Sequence, residues 1–223
     1  MIRRMNCIVT AGPTYEPLDE VRRLTNFSTG RLGAGLAGFL TAHGHTVTLL
    51  MGELAVWPGE RRAQTVRVFS TTQNLRAQLK ALARRKVEVI FHAAAVSDFA
   101  FGALYSRTER GRLAPFRPTK KISTRAGRLC VELVPTPKII AELRAWYPRA
   151  RIVGWKFEAD GGRADVLRLA RKQLADCGTD ACVANGPAYG RGFGLVAGGR
   201  PRHFASPEKL YAGLAAWLEQ PGA

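Results

Sequence analysis

The feature that most constrains this chain is a regular alternation of short apolar runs with helical stretches, broken once. Asn6-Cys7-Ile8-Val9-Thr10-Ala11 reads as a buried strand, a Gly/Pro-containing loop follows, and Leu32 to Leu40 falls in a helical setting. Gly44 ends that helix and Thr46 to Met51 forms a second strand, a βαβ unit whose glycines let the helix pack closely on the sheet. The rhythm continues through a strand at Val66–Phe69, an amphipathic helix from Thr72 to Arg85 with Thr72 as its cap, and a strand at Val87–Ala93. After the break come a helix (Pro137–Tyr147), a strand (Arg151–Phe157), a helix (Gly162–Cys177) and a strand (Asp180–Ala184). A hairpin of Gly194–Ala197 with Arg202–Phe204 across Gly198-Gly199, and a helix from Pro207 to Leu218, complete the pattern. The alternation predicts an α/β protein, a Rossmann-like, doubly wound and mostly parallel sheet covered on both faces, with a C-terminal β-hairpin.

The break spans residues 98–128, rich in Gly, Pro, Arg and Lys and nearly without periodicity. A stretch of that length inside a compact domain predicts a flap insertion, either a lid or a disordered segment. Strand patterning resumes at Leu129–Val134. No repeat and no linker divides the chain, so residues 1–223 read as a single domain.

A hydrophobic fraction of 46% over 223 residues suits one substantial core rather than disorder. No run approaches the roughly 20 apolar residues that span a bilayer. The start, Met1-Ile2-Arg3-Arg4-Met5, lacks the apolar core of a secretory signal, so a cytoplasmic protein without a membrane partner is expected. Four scattered cysteines without a CxxC pair read as small buried apolar residues, and too few ligands surround Cys177 and Cys182 for a metal–thiolate site. The balance of 34 Lys+Arg against 17 Asp+Glu, a net +17, points to anionic partners: nucleotides, phosphorylated metabolites or nucleic acid. The arginines are spread along the chain, however, as an arginine-rich proteome would also give. A nucleic-acid module would need an aromatic-interleaved basic patch or a recognition-helix motif, and the chain has neither.

The chemistry concentrates early. Gly12-Pro13-Thr14-Tyr15-Glu16-Pro17 directly follows the first strand, and open α/β sheets bind ligands outside the carboxyl ends of their strands. Asn26-Phe27-Ser28-Thr29-Gly30-Arg31 then precedes a helix. The hydroxyls of Ser28 and Thr29, Gly30 and the free N–H groups of that helix would make an anion site; the bland alternative is a turn with Ser28 or Thr29 as the cap. The spacing is neither GxGxxG nor Walker A.

Thr10 to Arg22 followed by Leu24-Thr25-Asn26-Phe27-Ser28-Thr29-Gly30 closely resembles the N-terminal signature of the phosphopantothenoylcysteine synthetases, the phosphopantothenate–cysteine ligases. The likeness continues, in family order, through His92-Ala93-Ala94-Ala95-Val96-Ser97-Asp98-Phe99, Lys121-Ile122, Glu132 to Pro137, Val153-Gly154-Trp155, Ala184-Asn185 and Gly192-Phe193-Gly194. The resemblance implies a ligase of coenzyme A biosynthesis that joins 4′-phosphopantothenate to cysteine through an acyl-nucleotide made from CTP, or from ATP as in the animal enzymes. It implies Mg²⁺ with the triphosphate and a homodimer. It implies no flavin, because nothing matches the decarboxylase domain often fused in that family. By position, Asn26 would hold the intermediate, with Arg22 beside it. Lys121 would be the flap lysine of the second half-reaction, and Lys120 could trade places with it. Nucleotide contacts fall to Gly12, Ala94, Ala95, Asp98, Pro137, Ile139 and Trp155, anion binding to Ser28, Thr29 and Gly30, and no metal ligand is assigned to the protein.

The chain departs from the family pattern in places. Ser123-Thr124 follows Lys121-Ile122 where lysines are usual, Pro137-Lys138 stands for Pro-Asp, and Lys156 follows Trp155 where Phe-Ala is usual. Two triphosphate lysines of the family fall near Gln173 and Cys177, with Arg171 and Lys172 one or two positions away, where a different helix register would let them substitute. Competing readings are a divergent ligase acting on another carboxylate or amine, and a nicotinamide-dependent oxidoreductase, which lacks its GxGxxG and Tyr-x-x-x-Lys motifs.

Overall fold

The computed structural model describes residues 3–117 and 120–220. In chain order the first elements are β1 (Asn6–Ala11), β2 (Tyr15–Pro17), β3 (Arg23–Thr25), α1 (Arg31–Ala42), β4 (Thr46–Gly52), β5 (Thr65–Phe69), α2 (Thr72–Leu82) and β6 (Val89–His92). Next come β7 (Phe99–Arg107), β8 (Leu113–Phe116), β9 (Arg128–Pro135), α3 (Ile139–Trp146) and β10 (Arg151–Phe157). The last are α4 (Arg163–Cys177), β11 (Ala181–Asn185), β12 (Phe193–Val196), β13 (Arg202–Phe204) and α5 (Pro207–Glu219).

The main sheet has the order β13-β12-β11-β10-β6-β1-β4-β5, and only β12, in the C-terminal hairpin with β13, runs opposite to the other strands. Its central strands are apolar almost throughout because both faces are covered. Successive residues therefore feed opposite cores. Val9, Leu49, Phe91 and Val153 point to α1 and α5, whereas Ile8, Leu50, Ile90 and Ile152 point to α2 and α3. The predicted close approach of α1 is realised at Gly33, where an added Cβ would lie 2.7 Å from Ala11 Cβ and 3.0 Å from the Thr10 carbonyl oxygen. Among the described residues no helix is long and apolar enough to cross a membrane.

The chain leaves β1 through α1 to β4 and β5 on one side, then returns through α2 to β6 on the other. The carboxyl ends of β1 and β6 thus flank a topological switch point, the place where open α/β sheets form their ligand crevice.

Three expectations need correction. The break at 98–128 is largely strand: β7 pairs with β8 and with β9 in a separate three-stranded antiparallel sheet. Leu129–Val134 therefore belongs to the flap sheet and not to the main one. Its strands escaped detection because a bulge between Phe101 and Leu104 shifts the alternation, and both faces remain partly exposed. Pro118 and Thr119, inside the expected flap, lie outside the described residues. Second, the loop after β1 contains the hairpin β2–β3, too short to show a period. Third, Thr71 rather than Thr72 caps α2, its hydroxyl accepting from Asn74 N, while Thr72 is buried with its Oγ1 3.2 Å from Thr14 Oγ1. The cap must keep extended backbone, and Thr71 has it.

Candidate active site

The loops after β1 and β6 are joined by main-chain bonds that continue the sheet beyond its strands. Ala95 N donates to Gly12 O at 3.0 Å, and Thr14 N donates to Ala95 O at 3.1 Å. Gly12 takes φ 84°, and a Cβ there would meet Ala55 Cβ at 2.7 Å, so glycine alone fits where the loop after β1 also presses on the loop after β4. Underneath, Thr10 Oγ1 accepts from Ala94 N at 3.0 Å and lies 3.0 Å from His92 Nδ1. Burial holds His92 down to about 4, so this support is uncharged at neutral pH. Thr14 Oγ1 accepts from Ser97 N, and Thr136 bonds the Ser97 and Asp98 carbonyls through its hydroxyl and amide. Exposed Asp98 is thereby set beside Thr136 and Pro137 at the crevice rim.

Asn26 reaches the same place from the hairpin. Its Nδ2 donates to the carbonyls of both Ala95 and Val96 at 3.3 Å. The amide N–H₂ is therefore turned toward the protein, which leaves the amide oxygen as the group facing away. In this arrangement the N–H₂ orients the side chain. Gly30 is the N-cap of α1 at φ 80° and supplies no side chain, while Thr29 Oγ1 accepts from Arg31 N at 3.3 Å. Gly30 rather than Ser28 or Thr29 holds the N-cap position, and Thr29 engages only the Arg31 amide of this helix end.

Arg22 and Lys121 meet away from Asn26, on the seam between the hairpin turn and the flap. Arg22 Nη1 donates to Asp19 Oδ2 at 2.6 Å and Nη2 donates to Ile122 O at 3.0 Å. Ile122 N donates to Asp19 Oδ2 at 3.1 Å, and Glu20 N donates to Lys120 O at 3.0 Å. Lys121 is exposed between these two tethered neighbours, and the Ile122 side chain is buried.

The opposite wall is less like the sequence pattern. Ile139 is a core side chain, so α3 offers a ligand its N-terminal backbone there rather than that residue's apolar group. Trp155 packs on the α1/α5 face with its indole N–H covered and unpartnered, as is Asn185 Oδ1 on the neighbouring strand. Gln173 lies over Gly154 and its Nε2 is 3.3 Å from Cys182 Sγ; Cys177 is buried. Arg171 is exposed, and Lys172 is paired with Asp176 at 2.8 Å. Two lysines do approach this wall. Burial pushes the Cys177 thiol up and the leading opposing charge is Lys138, the N-cap residue of α3. Burial likewise pushes Cys182 up to about 12 against the charge of Lys156. Sequence reading noted both lysines only as departures; the signal was that cations appear at 138 and 156 where α4 has lost its own.

Among the described residues no group of three or more His, Cys, Asp or Glu side chains is arranged to hold a metal ion. The switch-point crevice, the flap seam and the N-terminus of α1 lie on the loops of a doubly wound sheet. The family model of the DNA/pantothenate metabolism flavoprotein C-terminal domain matches residues 2–197, and the chain belongs to that family. The coenzyme A biosynthesis bifunctional protein CoaBC of Thermococcus kodakarensis is 32% identical over 181 residues, which are 80% of this chain and 40% of that protein. The chain spans less than half the length of the other first curated relatives it matches. Among solved structures, the DNA/pantothenate metabolism flavoprotein from Streptococcus pneumoniae superposes with a TM-score of 0.81 at 24% identity, over 96% of this chain and 98% of that one. A Cab2 variant in complex with phosphopantothenate-cysteine superposes with a TM-score of 0.71 at 21% identity, over 96% and 86%. These likenesses show a common fold.

Proposed function

We propose that this chain is a nucleotide-dependent ligase that joins 4′-phosphopantothenate to cysteine. The observation that carries the reading is Asn26, held by two carbonyls of the β6 loop at the switch point, with the Lys121 segment bonded to the same hairpin. In the first step a phosphopantothenate carboxylate oxygen attacks the α-phosphorus of CTP or ATP, and the bond to the pyrophosphate oxygen breaks. In the second, the cysteine amine attacks the acyl carbon, the bond to the nucleotide oxygen breaks, and the amine proton passes to solvent. Both steps bring anions together, so cations and aligned amides should dominate the site. The N-terminus of α1, with Ser28, Thr29 and Gly30, suits one anion, and Lys138 with Lys156 suits the triphosphate, which would arrive as its Mg²⁺ complex. Gly12, Ala94 and Ala95 would admit the nucleotide close to the backbone, with Asp98 and Pro137 at its edge. The unpaired indole N–H of Trp155 and amide oxygen of Asn185 are a donor and an acceptor at neighbouring strand ends. A homodimer belongs to the same reading: exposed Phe27, Phe99 and Leu133 put apolar surface on the hairpin and flap sheet, where a second copy would cover it.

The test is Lys121→Gln. The acyl-nucleotide should accumulate, detected by mass, while product formation falls by about 10²-fold or more, as expected for loss of a charge that acts on the transition state. Normal turnover by this variant would contradict the assignment. A divergent substrate is the second reading, favoured by Gln173 and Cys177 standing near the positions where the family carries lysines. Full activity toward other acids with none toward phosphopantothenate would select it.

A further inference from the structure

The turn between β2 and β3 grips the flap through one carboxylate. Asp19 has a fully covered side chain, whereas Arg22 is 42% exposed. Its Oδ1 accepts from Val21 N at 2.8 Å and from Arg22 N at 2.7 Å, which fixes the turn. Its Oδ2 accepts from Ile122 N at 3.1 Å and from Arg22 Nη1 at 2.6 Å, which crosses to the flap. The second arm of the Arg22 fork then closes on Ile122 O, so both main-chain groups of Ile122 are engaged from one side. Bonds from Ile122, Val21 and Arg22, with the Arg22 charge, outweigh burial and hold the Asp19 carboxyl down to about 2, so it stays ionised at any pH near neutral.

We infer that Asp19 is a positioning residue for the second half-reaction: with Arg22 it latches the flap at Ile122 and so sets where Lys121 stands. A covered carboxylate with four donors is more than the β2–β3 turn needs, since the Val21 and Arg22 amides already satisfy an ordinary Asx turn. Of the other two donors, Ile122 N belongs to the flap, and Arg22 Nη1 belongs to a guanidinium whose second arm reaches Ile122 O. The geometry also gives Arg22 a specific part. Two arms of its guanidinium hold Asp19 and Ile122, which gives it a route to the reaction through the flap. A lysine there would keep the charge and lose the fork.

Asp19→Asn tests this, because asparagine keeps an acceptor for the two turn amides but loses the charge and faces Ile122 with its own N–H₂. Limited trypsin digestion of the whole chain without substrates should cut after Lys120 and Lys121 about tenfold faster than wild type, the change expected when charge-assisted bonds holding a segment are lost. Cutting at exposed Arg61 and Arg62 should be unchanged. Equal acceleration at both places, or none at either, would overturn the latch. The mechanistic half rests on the ligase reading: the variant should release pyrophosphate at the wild-type KM for nucleotide but add cysteine about tenfold more slowly. Equal slowing of both half-reactions, or none, would overturn the positioning role. If the wild-type chain releases no pyrophosphate, the ligase reading fails by itself, and the digestion pattern still decides whether Asp19 holds the flap.

Discussion

At the scale of single residues, the resemblance singled out Gly12 and Asn26, and both lie at the switch point bonded to the distant loop after β6. Residue types and spacing left this loop open between a binding loop and an ordinary turn, and it was the long signature of the family that singled out Asn26. Asp19 was not legible, because its decisive partner, Ile122, is 103 residues away and donates through its backbone, which no side-chain pattern reveals. The lysines at 138 and 156 were visible only as departures, since their meaning depends on α3 and β10 sharing a face with Gln173 and Cys177. That face gives the residue-scale prediction. Removing one cation that contacts a phosphate costs a charge-assisted interaction of about 1.5–3 kcal/mol. Lys138→Gln and Lys156→Gln should therefore each raise the nucleotide KM by about 10–100-fold, while leaving the KM for cysteine near wild type. Unchanged nucleotide KM in both would remove these lysines from the triphosphate site. Lys156 is the harder case, because its ion pair with Glu158 at 2.8 Å must yield to the ligand.

At the scale of elements, the alternating strands and helices of the main sheet were read correctly because each strand feeds two cores and each helix has one buried stripe. The flap sheet was not read, since β7, β8 and β9 have no fully covered face to impose a period of two, and the bulge in β7 shifts what alternation there is. The helix starts were read to within two residues; the miss at Thr72 arose because two adjacent threonines offer the same hydroxyl, and only backbone conformation separates them. The contact between α1 and β1 carries the element-scale prediction. Gly33→Ala would drive a methyl to 2.7 Å from Ala11 Cβ, with the Thr10 carbonyl close behind it. The variant should lose about 1–3 kcal/mol of stability, read as a lower denaturant midpoint at unchanged slope. Because α1 and the loop after β1 would be pushed apart, substrate affinity should fall with it. A Gly33→Ala protein as stable as wild type would show that α1 does not press on β1 as described.

For the whole molecule, the charge of +17 is shared among the crevice, the flap and the outer surface, so composition could announce an anionic ligand without locating it. The fold also carries an acid sensitivity. His92 is held from 6.5 down to about 4 by burial, so between those values the unfolded chain binds a proton that the native chain refuses. Stability is therefore complete above about pH 6.5 and is lost as the pH falls toward 4, and His45, also lowered chiefly by burial, adds to the slope. Denaturation midpoints measured across this window should fall with acid, and His92→Asn should flatten the slope even if it lowers the plateau. A slope identical to wild type would contradict a buried neutral His92.

The account as a whole depends on the crevice being a place where a carboxylate is activated by a nucleotide. The direct measurement is pyrophosphate release by the wild-type chain with Mg²⁺, 4′-phosphopantothenate and either CTP or ATP, followed with and without cysteine. The account predicts release that requires phosphopantothenate, limited to about one equivalent per site without cysteine and continuous with it. No release with either nucleotide, or release indifferent to phosphopantothenate, would contradict it.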